Sequence, residues 1–278
     1  MFSALLNAQN RLGTIPITAV TWSIATNSTS TYTGSAQSVT VVSVFPPDAT
    51  YSISTTTATN AGDVAFTTIT GTGVYTGSFT SPTLTITKAT ITGTASTPTA
   101  VTYNAASQSG IVIINVLPGA TFSGSTSASG TNAGTYTSSI TGTGNYEGTV
   151  SGGNFVINKA SLSVSGFAIN DCGGFSVARM SFTVSGLQGA DTGSLTTWIG
   201  TSSPTSIAPV STNDAFFGNA VSQITGANPI SVGNGTNTTS LYLCTSDSGF
   251  QYWVQVSGNA TNYNTSGFAG PVLQDCGS

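Results

Sequence analysis

Tyr32-Thr33-Gly34-Ser35-Ala36-Gln37-Ser38 returns as Tyr103-Asn104-Ala105-Ala106-Ser107-Gln108-Ser109, an offset of 103 − 32 = 71 residues. Pro47-Asp48-Ala49-Thr50-Tyr51 aligns with Pro118-Gly119-Ala120-Thr121-Phe122 at the same offset. Thr59-Asn60-Ala61-Gly62 recurs at Thr131-Asn132-Ala133-Gly134, where 131 − 59 = 72, so one residue is inserted between these landmarks. Ile69 to Tyr75 then matches Ile140 to Tyr146, and Leu84 to Ala89 matches Phe155 to Ala160, both again 71 apart. Landmarks kept in one order at one spacing mark an internal repeat, and a repeat of this length is a structural unit in its own right.

Within the first copy, Gln37 to Val44, Thr50 to Ser54, Val64 to Thr70 and Thr83 to Thr87 read as short strands bounded by turn residues. Leu84, Ile86 and Lys88 alternate with Thr83, Thr85 and Thr87, the period of two expected when one face of a sheet is buried. Lys88 is expected just beyond that core. The Gly71-Thr72-Gly73 and Gly142-Thr143-Gly144 runs fall between strands, so they are read as turn formers and not as a phosphate cradle at a helix N-terminus.

Composition agrees with an all-β chain. Only 4% of residues are charged, against roughly 25% in ordinary soluble domains, and Ser, Thr, Gly and Asn stand where Lys and Glu usually do. The 38% hydrophobic share, with 13 Phe, 9 Tyr and 3 Trp, is enough to build cores. A net charge of −4, with Arg11, Lys88, Lys159 and Arg179 as the basic residues, gives no patch for nucleic acid or an anionic membrane surface. No apolar run approaches the roughly 20 residues of a spanning helix, so membrane insertion is not expected. Met1 to Asn7 lacks the basic and long apolar regions of a secretory signal.

The ordered series Tyr-x-Gly-x-Ala-Gln, Thr-Asn-Ala-Gly-x-Tyr, Gly-x-Tyr-x-Gly and Ile-x-Lys-Ala resembles the MBG class of bacterial immunoglobulin-like repeats over residues 17 to 160, about half of the chain. The first copy departs from it with Asp63-Val64-Ala65-Phe66 where the second has Thr135-Tyr136-Thr137-Ser138. The resemblance implies tandem immunoglobulin-like β-sandwich domains acting as an extracellular or virion-surface spacer, with no catalytic residues to carry over. The expected organisation is an anchoring arm at 1–16, repeats at 17–89 and 90–160, and a distinct β-sandwich domain at 161–278.

That last segment holds all three cysteines. Asp171-Cys172-Gly173 and Asp275-Cys276-Gly277 frame it, so a Cys172–Cys276 disulfide would close a loop of about 100 residues and stabilise it by several kcal/mol. Two reduced thiols are the alternative, and Cys172 with Cys244, with Trp198 between them, is a rival pairing. Phe250, Tyr252, Val254 and Val256 alternate with Gln251, Trp253 and Gln255, which reads as a half-buried strand whose outer face carries an aromatic and two amides. Leu241 to Cys244 is expected to precede it in a hairpin. Tyr252, Trp253, Gln255, Tyr263 and Asn264 are therefore the candidate ligand or partner surface, suited to stacking on a glycan or packing on a protein; the competing reading makes them core and turn residues.

The chain contains no histidine, which removes Ser-His-Asp and Cys-His catalysis and His-ligated metals. The acids Asp48, Asp63, Glu147, Asp171, Asp191, Asp214, Asp247 and Asp275 fall mostly in predicted turns, where carboxylates usually cap backbone amides. They form no Asp-x-Asp run of the kind that gathers oxygens around calcium. Sequons at Asn27, Asn234, Asn237, Asn259 and Asn264 are what chance supplies in a chain this rich in Ser, Thr and Asn.

No enzyme, cofactor or metal is implied. The expected role is a structural part of a bacteriophage virion surface, such as a tail-fibre, decoration or head-spike protein. Its arm would hold other virion proteins, with a host glycan or protein as a further partner. A bacterial cell-surface adhesin or stalk and a carbohydrate-binding module are the alternatives. A homo-oligomer or a larger assembly is expected, although no heptads or collagen triplets impose a symmetry.

Overall fold

The computed structural model describes residues 13–172, 177–200, 222–223, 230–242 and 251–273. Among them every regular element is a strand, and the strands form several small sheets consistent with β-sandwiches. Thr, Val, Ile and Tyr suit a pleated half-buried surface, while the turns take Gly, Pro and Asn, which tolerate the dihedrals that reversals demand.

The chain divides into two compact units. The first takes in Met1–Ala95, Ile113–Thr126 and Ser138–Gly152; the second takes in Ser96–Val112, Ser127–Thr137 and Gly153–Ser278. The division runs through the second copy of the repeat.

In the first unit one sheet has the order Ser28–Thr31, Leu84–Thr87, Val64–Gly71, Tyr51–Thr56, with Ser78–Thr80 also paired to Val64–Gly71. Ser28–Thr31 and Leu84–Thr87 run parallel; the other pairings are antiparallel. Ala19–Trp22 pairs with Val41–Phe45. Val39, Ala58, Ala65, Leu84 and Ile86 form a buried cluster, with Trp22, Ile24 and Tyr32 packed against it. Leu84 and Ile86 face this core, and Thr87 and Lys88 are exposed, as the alternation requires. Two polar residues are drawn inside, Thr67 and Ser81: the Thr67 hydroxyl donates to the Val39 carbonyl and its amide donates to Ser81 Oγ at 3.0 Å, so neither group of Thr67 is left unpaired.

The motif residues have local duties. Gln37 Nε2 donates to the Thr31 carbonyl and Gln108 Nε2 to the Thr102 carbonyl, each at 3.1 Å. Gly71 and Gly142 lie where the chain turns back on itself, and a Cβ on either would come within 2.8 Å of the backbone five residues on. Gly73 and Gly144 hold φ values of 67° and 62°, the left-handed region that glycine reaches without a steric penalty.

In the second unit Phe155–Asn158 sits between Val101–Thr102, parallel to it, and Gly134–Tyr136, antiparallel. Ser163–Cys172, Val177–Ser185 and Gly235–Tyr242 make a three-stranded sheet in that order. A larger sheet has the order Ser222–Gln223, Gly193–Gly200, Gln251–Ser257, Ala269–Leu273, with Ile230–Val232 also on Gly193–Gly200. Of the expected hairpin, Leu243 to Phe250 lie outside the described residues, and among the described ones Leu241 and Tyr242 do not pair with the Gln251 strand. Gly235–Tyr242 pairs with Val177–Ser185 along its length, and both edges of Gln251–Ser257 are taken by Gly193–Gly200 and Ala269–Leu273.

Candidate functional site: two asparagine–tyrosine joints

Two clusters of polar and aromatic side chains lie where one segment of the repeat array meets the next. In the first joint, the turn after Gly142 is closed by the Tyr146 amide donating to the Thr143 carbonyl at 3.1 Å, which projects Asn145. Its Oδ1 accepts from the Ala61 amide at 2.9 Å, and its Nδ2 donates to Asn60 Oδ1 at 3.0 Å. The Tyr146 ring meets Tyr32 edge-on, centroids 5.5 Å apart at 80°, a favoured arrangement for two aromatic quadrupoles. Ala89–Thr90, where the first copy passes into the second, runs parallel to Tyr146–Glu147.

The second joint repeats this atom for atom with residues from beyond the repeat. Asn262 Oδ1 accepts from the Ala133 amide at 2.8 Å, and its Nδ2 donates to Asn132 Oδ1 at 3.0 Å. Tyr263 meets Tyr103 edge-on at 5.4 Å and 82°, and Ala160–Ser161 runs parallel to Tyr263–Asn264. The segment after Ala160 thus shares no periodic match with the repeats yet presents the same docking turn. No family model matches the chain, and no curated protein does.

A carboxylate strengthens the second joint. Asp191 Oδ2 accepts from the Tyr103 and Tyr263 hydroxyls, both at 2.7 Å, and the Tyr263 oxygen accepts from the Gln188 amide at 2.8 Å. Burial of the Tyr263 ring and its bond to Asp191 push its hydroxyl pKa up to about 12. The bond to Asp191, then burial, raises that of Tyr103. Because both folded values lie above the ordinary 10.0, the stabilisation they carry is whole below that pH and is lost as the pH climbs through about 12. In an absorbance titration the last tyrosinates should appear together with loss of structure; complete titration in a still-folded chain would contradict it.

The receiving turn is held differently in the two copies. Asp63 accepts from the Asn60 amide at 2.8 Å and the Thr59 amide at 3.2 Å, and these bonds lower its pKa below the ordinary 3.8. The second copy has no acid there; the Tyr136 hydroxyl instead donates to the Asn132 carbonyl at 2.7 Å. Asp63 therefore supports its turn above pH 3.8, and that support fades as the pH falls through its lower folded value. Acidification should lower the protection factor of the Asn60 amide, measured against the intrinsic exchange rate at each pH, while leaving the Asn132 turn unaffected, a comparison that amide NMR can make within one molecule.

Of the surface expected from the sequence, Trp253 is only 1% exposed and Tyr263 3%, so neither ring is free to stack on a glycan. Trp253 belongs to an inner strand of the sheet, against which Ser163–Cys172 also packs; an outward face was the wrong expectation because both faces are covered. Gln255 is half-buried and donates to the Ser266 carbonyl at 3.0 Å. Asn264 is exposed, and Tyr252 pairs with Ile199 and Val272 in the sheet. Cys172 pairs with Ala178 in its ladder; Cys244 and Cys276, the partners in the two expected disulfides, lie outside the described residues.

Asp191, Asn145 and Asn262 were not singled out from sequence. The signal that could have found them is the Asn-Tyr dipeptide at 145–146 and 262–263, which the intervening 262 − 145 = 117 residues hide from a search at the repeat period. Among the described residues no three acid or cysteine side chains gather to hold a metal, and no helix is long and apolar enough to cross a membrane.

Proposed function

We propose that the chain is a structural, non-catalytic component of a bacteriophage virion surface, a tail-fibre, decoration or head-spike protein built of tandem immunoglobulin-like modules. The observation that carries the reading is the joint made twice with the same chemistry. Each docks an Asn–Tyr turn on an Asn–Ala turn, satisfies the polar groups it covers and packs two tyrosines edge to edge. Such joints suit a spacer, which must keep neighbouring modules engaged under load; their side chains are spent on one another and leave no reactive group presented to a substrate. A surface of hydroxyls and amides with few charges fits a chain displayed outside a cell.

The test is where the protein is found. Mass spectrometry of purified virions from the source culture should recover the chain as a fixed-stoichiometry component. Recovery in the bacterial envelope fraction, with none in virions, would replace this reading by a cell-surface stalk.

A further inference from the structure

The strand Tyr51–Thr56 is paired on one side only. It meets Val64–Gly71 in unbroken antiparallel register from Tyr51 opposite Gly71 to Thr56 opposite Phe66, and among the described residues no strand lies along its other edge. The Thr72 amide donates to the Thr50 carbonyl at 2.9 Å, which makes Thr50 and Thr72 a hydrogen-bonded pair. In an antiparallel ladder such pairs recur at every second residue, here at Ser52, Ser54 and Thr56. The amides and carbonyls of Tyr51, Ile53 and Thr55 consequently point to the open edge.

Nothing guards that edge. Tyr-Ser-Ile-Ser-Thr-Thr has no charge, proline or glycine, its ladder has no bulge, and Ile53 is 56% exposed although its cross-strand neighbour Ile69 is fully buried. Natural sheets blunt such edges with lysine, proline or a bulge. The second copy shows that kind of blunting at the same place: Gly124 replaces Ile53, 124 − 53 = 71, its φ is 94°, and the strand is only Phe122–Gly124.

We infer that this edge is a self-association surface, on which two copies of the chain pair antiparallel about a two-fold axis at Ile53. A two-fold axis normal to the sheet keeps each face with itself, so only residues of like parity can oppose one another. The outward groups sit on Tyr51, Ile53 and Thr55, and an axis at Ile53 sets Ile53 against its counterpart and Tyr51 against Thr55. Each hydrogen-bonded pair exchanges two bonds, so the three pairs complete six. An axis at Ser52 or Ser54 leaves one outward residue opposite a position outside the strand. The Ile53 side chains, at the rim of each core beside Ile69, cover one another. The second repeat has no such edge at the matching place, and a contact about a two-fold axis is isologous, so the pairing closes at two chains.

Light scattering on the full chain should give twice the monomer mass of 27.8 kDa. Ile53→Lys sets two like charges on the axis, and Ile53→Pro removes an outward amide at an edge position where proline is tolerated. Each should weaken association by at least about tenfold with an unchanged far-ultraviolet spectrum. Should either variant misfold, Ile53→Cys decides the matter: Cα atoms of a hydrogen-bonded pair lie about 5.5 Å apart, within disulfide reach, so mild oxidation should link 53 to 53 between chains, identified by peptide mapping apart from the native cysteines. A monomer at every concentration, a doubled mass that persists in both folded variants, absence of the 53–53 link, or an open-ended series of polymers would each overturn the inference.

Discussion

Trp253→Ala is expected to destabilise the segment that follows the repeats by about 3–5 kcal/mol, the range for deleting a fully buried large aromatic. At 1% exposure the indole is one of the largest side chains wholly inside the protein. Its strand is hemmed by neighbours on both edges, so the backbone cannot collapse into the space and the cavity penalty adds to the lost transfer energy. Urea unfolding followed by amide exchange should show protection lost at lower denaturant in Gln251–Ser257 and its partner strands, while protection in Val64–Gly71 is lost where it was before. Trp253→Phe, which leaves a smaller void, should cost less. A shift within a few tenths of a kcal/mol for the alanine variant would mean that the ring is not a core element.

Tyr263→Ala is the second large effect. The ring is 3% exposed, packs edge-on against Tyr103 and joins Asp191 to the Gln188 amide. Truncation should cost about 3–5 kcal/mol. Tyr263→Phe keeps the ring and deletes the hydroxyl, leaving the Gln188 amide without its acceptor, at about 1–3 kcal/mol. The pair of variants separates packing from hydrogen bonding by differential unfolding. Asn262→Ala should raise amide exchange at Ala133, whose acceptor is the Asn262 side chain, more than anywhere in the first joint. Equal loss of protection at Ala61 would show that the two joints are not independent.

The strands at Val64–Gly71 and Leu84–Thr87 and the alternation at Leu84 and Ile86 were legible in the sequence, because turn residues bound each run and burial of one sheet face writes a period of two into the chain; the order in which the strands pair was not. The repeat landmarks were legible because each serves a local contact: Gln37 and Gln108 bond a carbonyl six residues back, and Gly71 and Gly142 sit where no Cβ fits. Trp253 misled because alternation alone cannot tell an outer face from a second covered one. The Leu241 run misled because the tie of Gly235–Tyr242 to Val177–Ser185 spans a sequence distance that no local pattern records.

What the sequence by itself determined is the all-β class, the repeat and its turns, all of which depend on residues within a few positions of one another. Tertiary structure alone decided that Asn262 does for the final segment what Asn145 does for the second repeat, and that Asp191 gathers Tyr103 and Tyr263 on one oxygen. Those contacts join residues 72 to 130 positions apart. Their partners are chosen by which surfaces remain polar and unpaired once each sheet has formed, and the spacing of residues along the chain carries no trace of that choice.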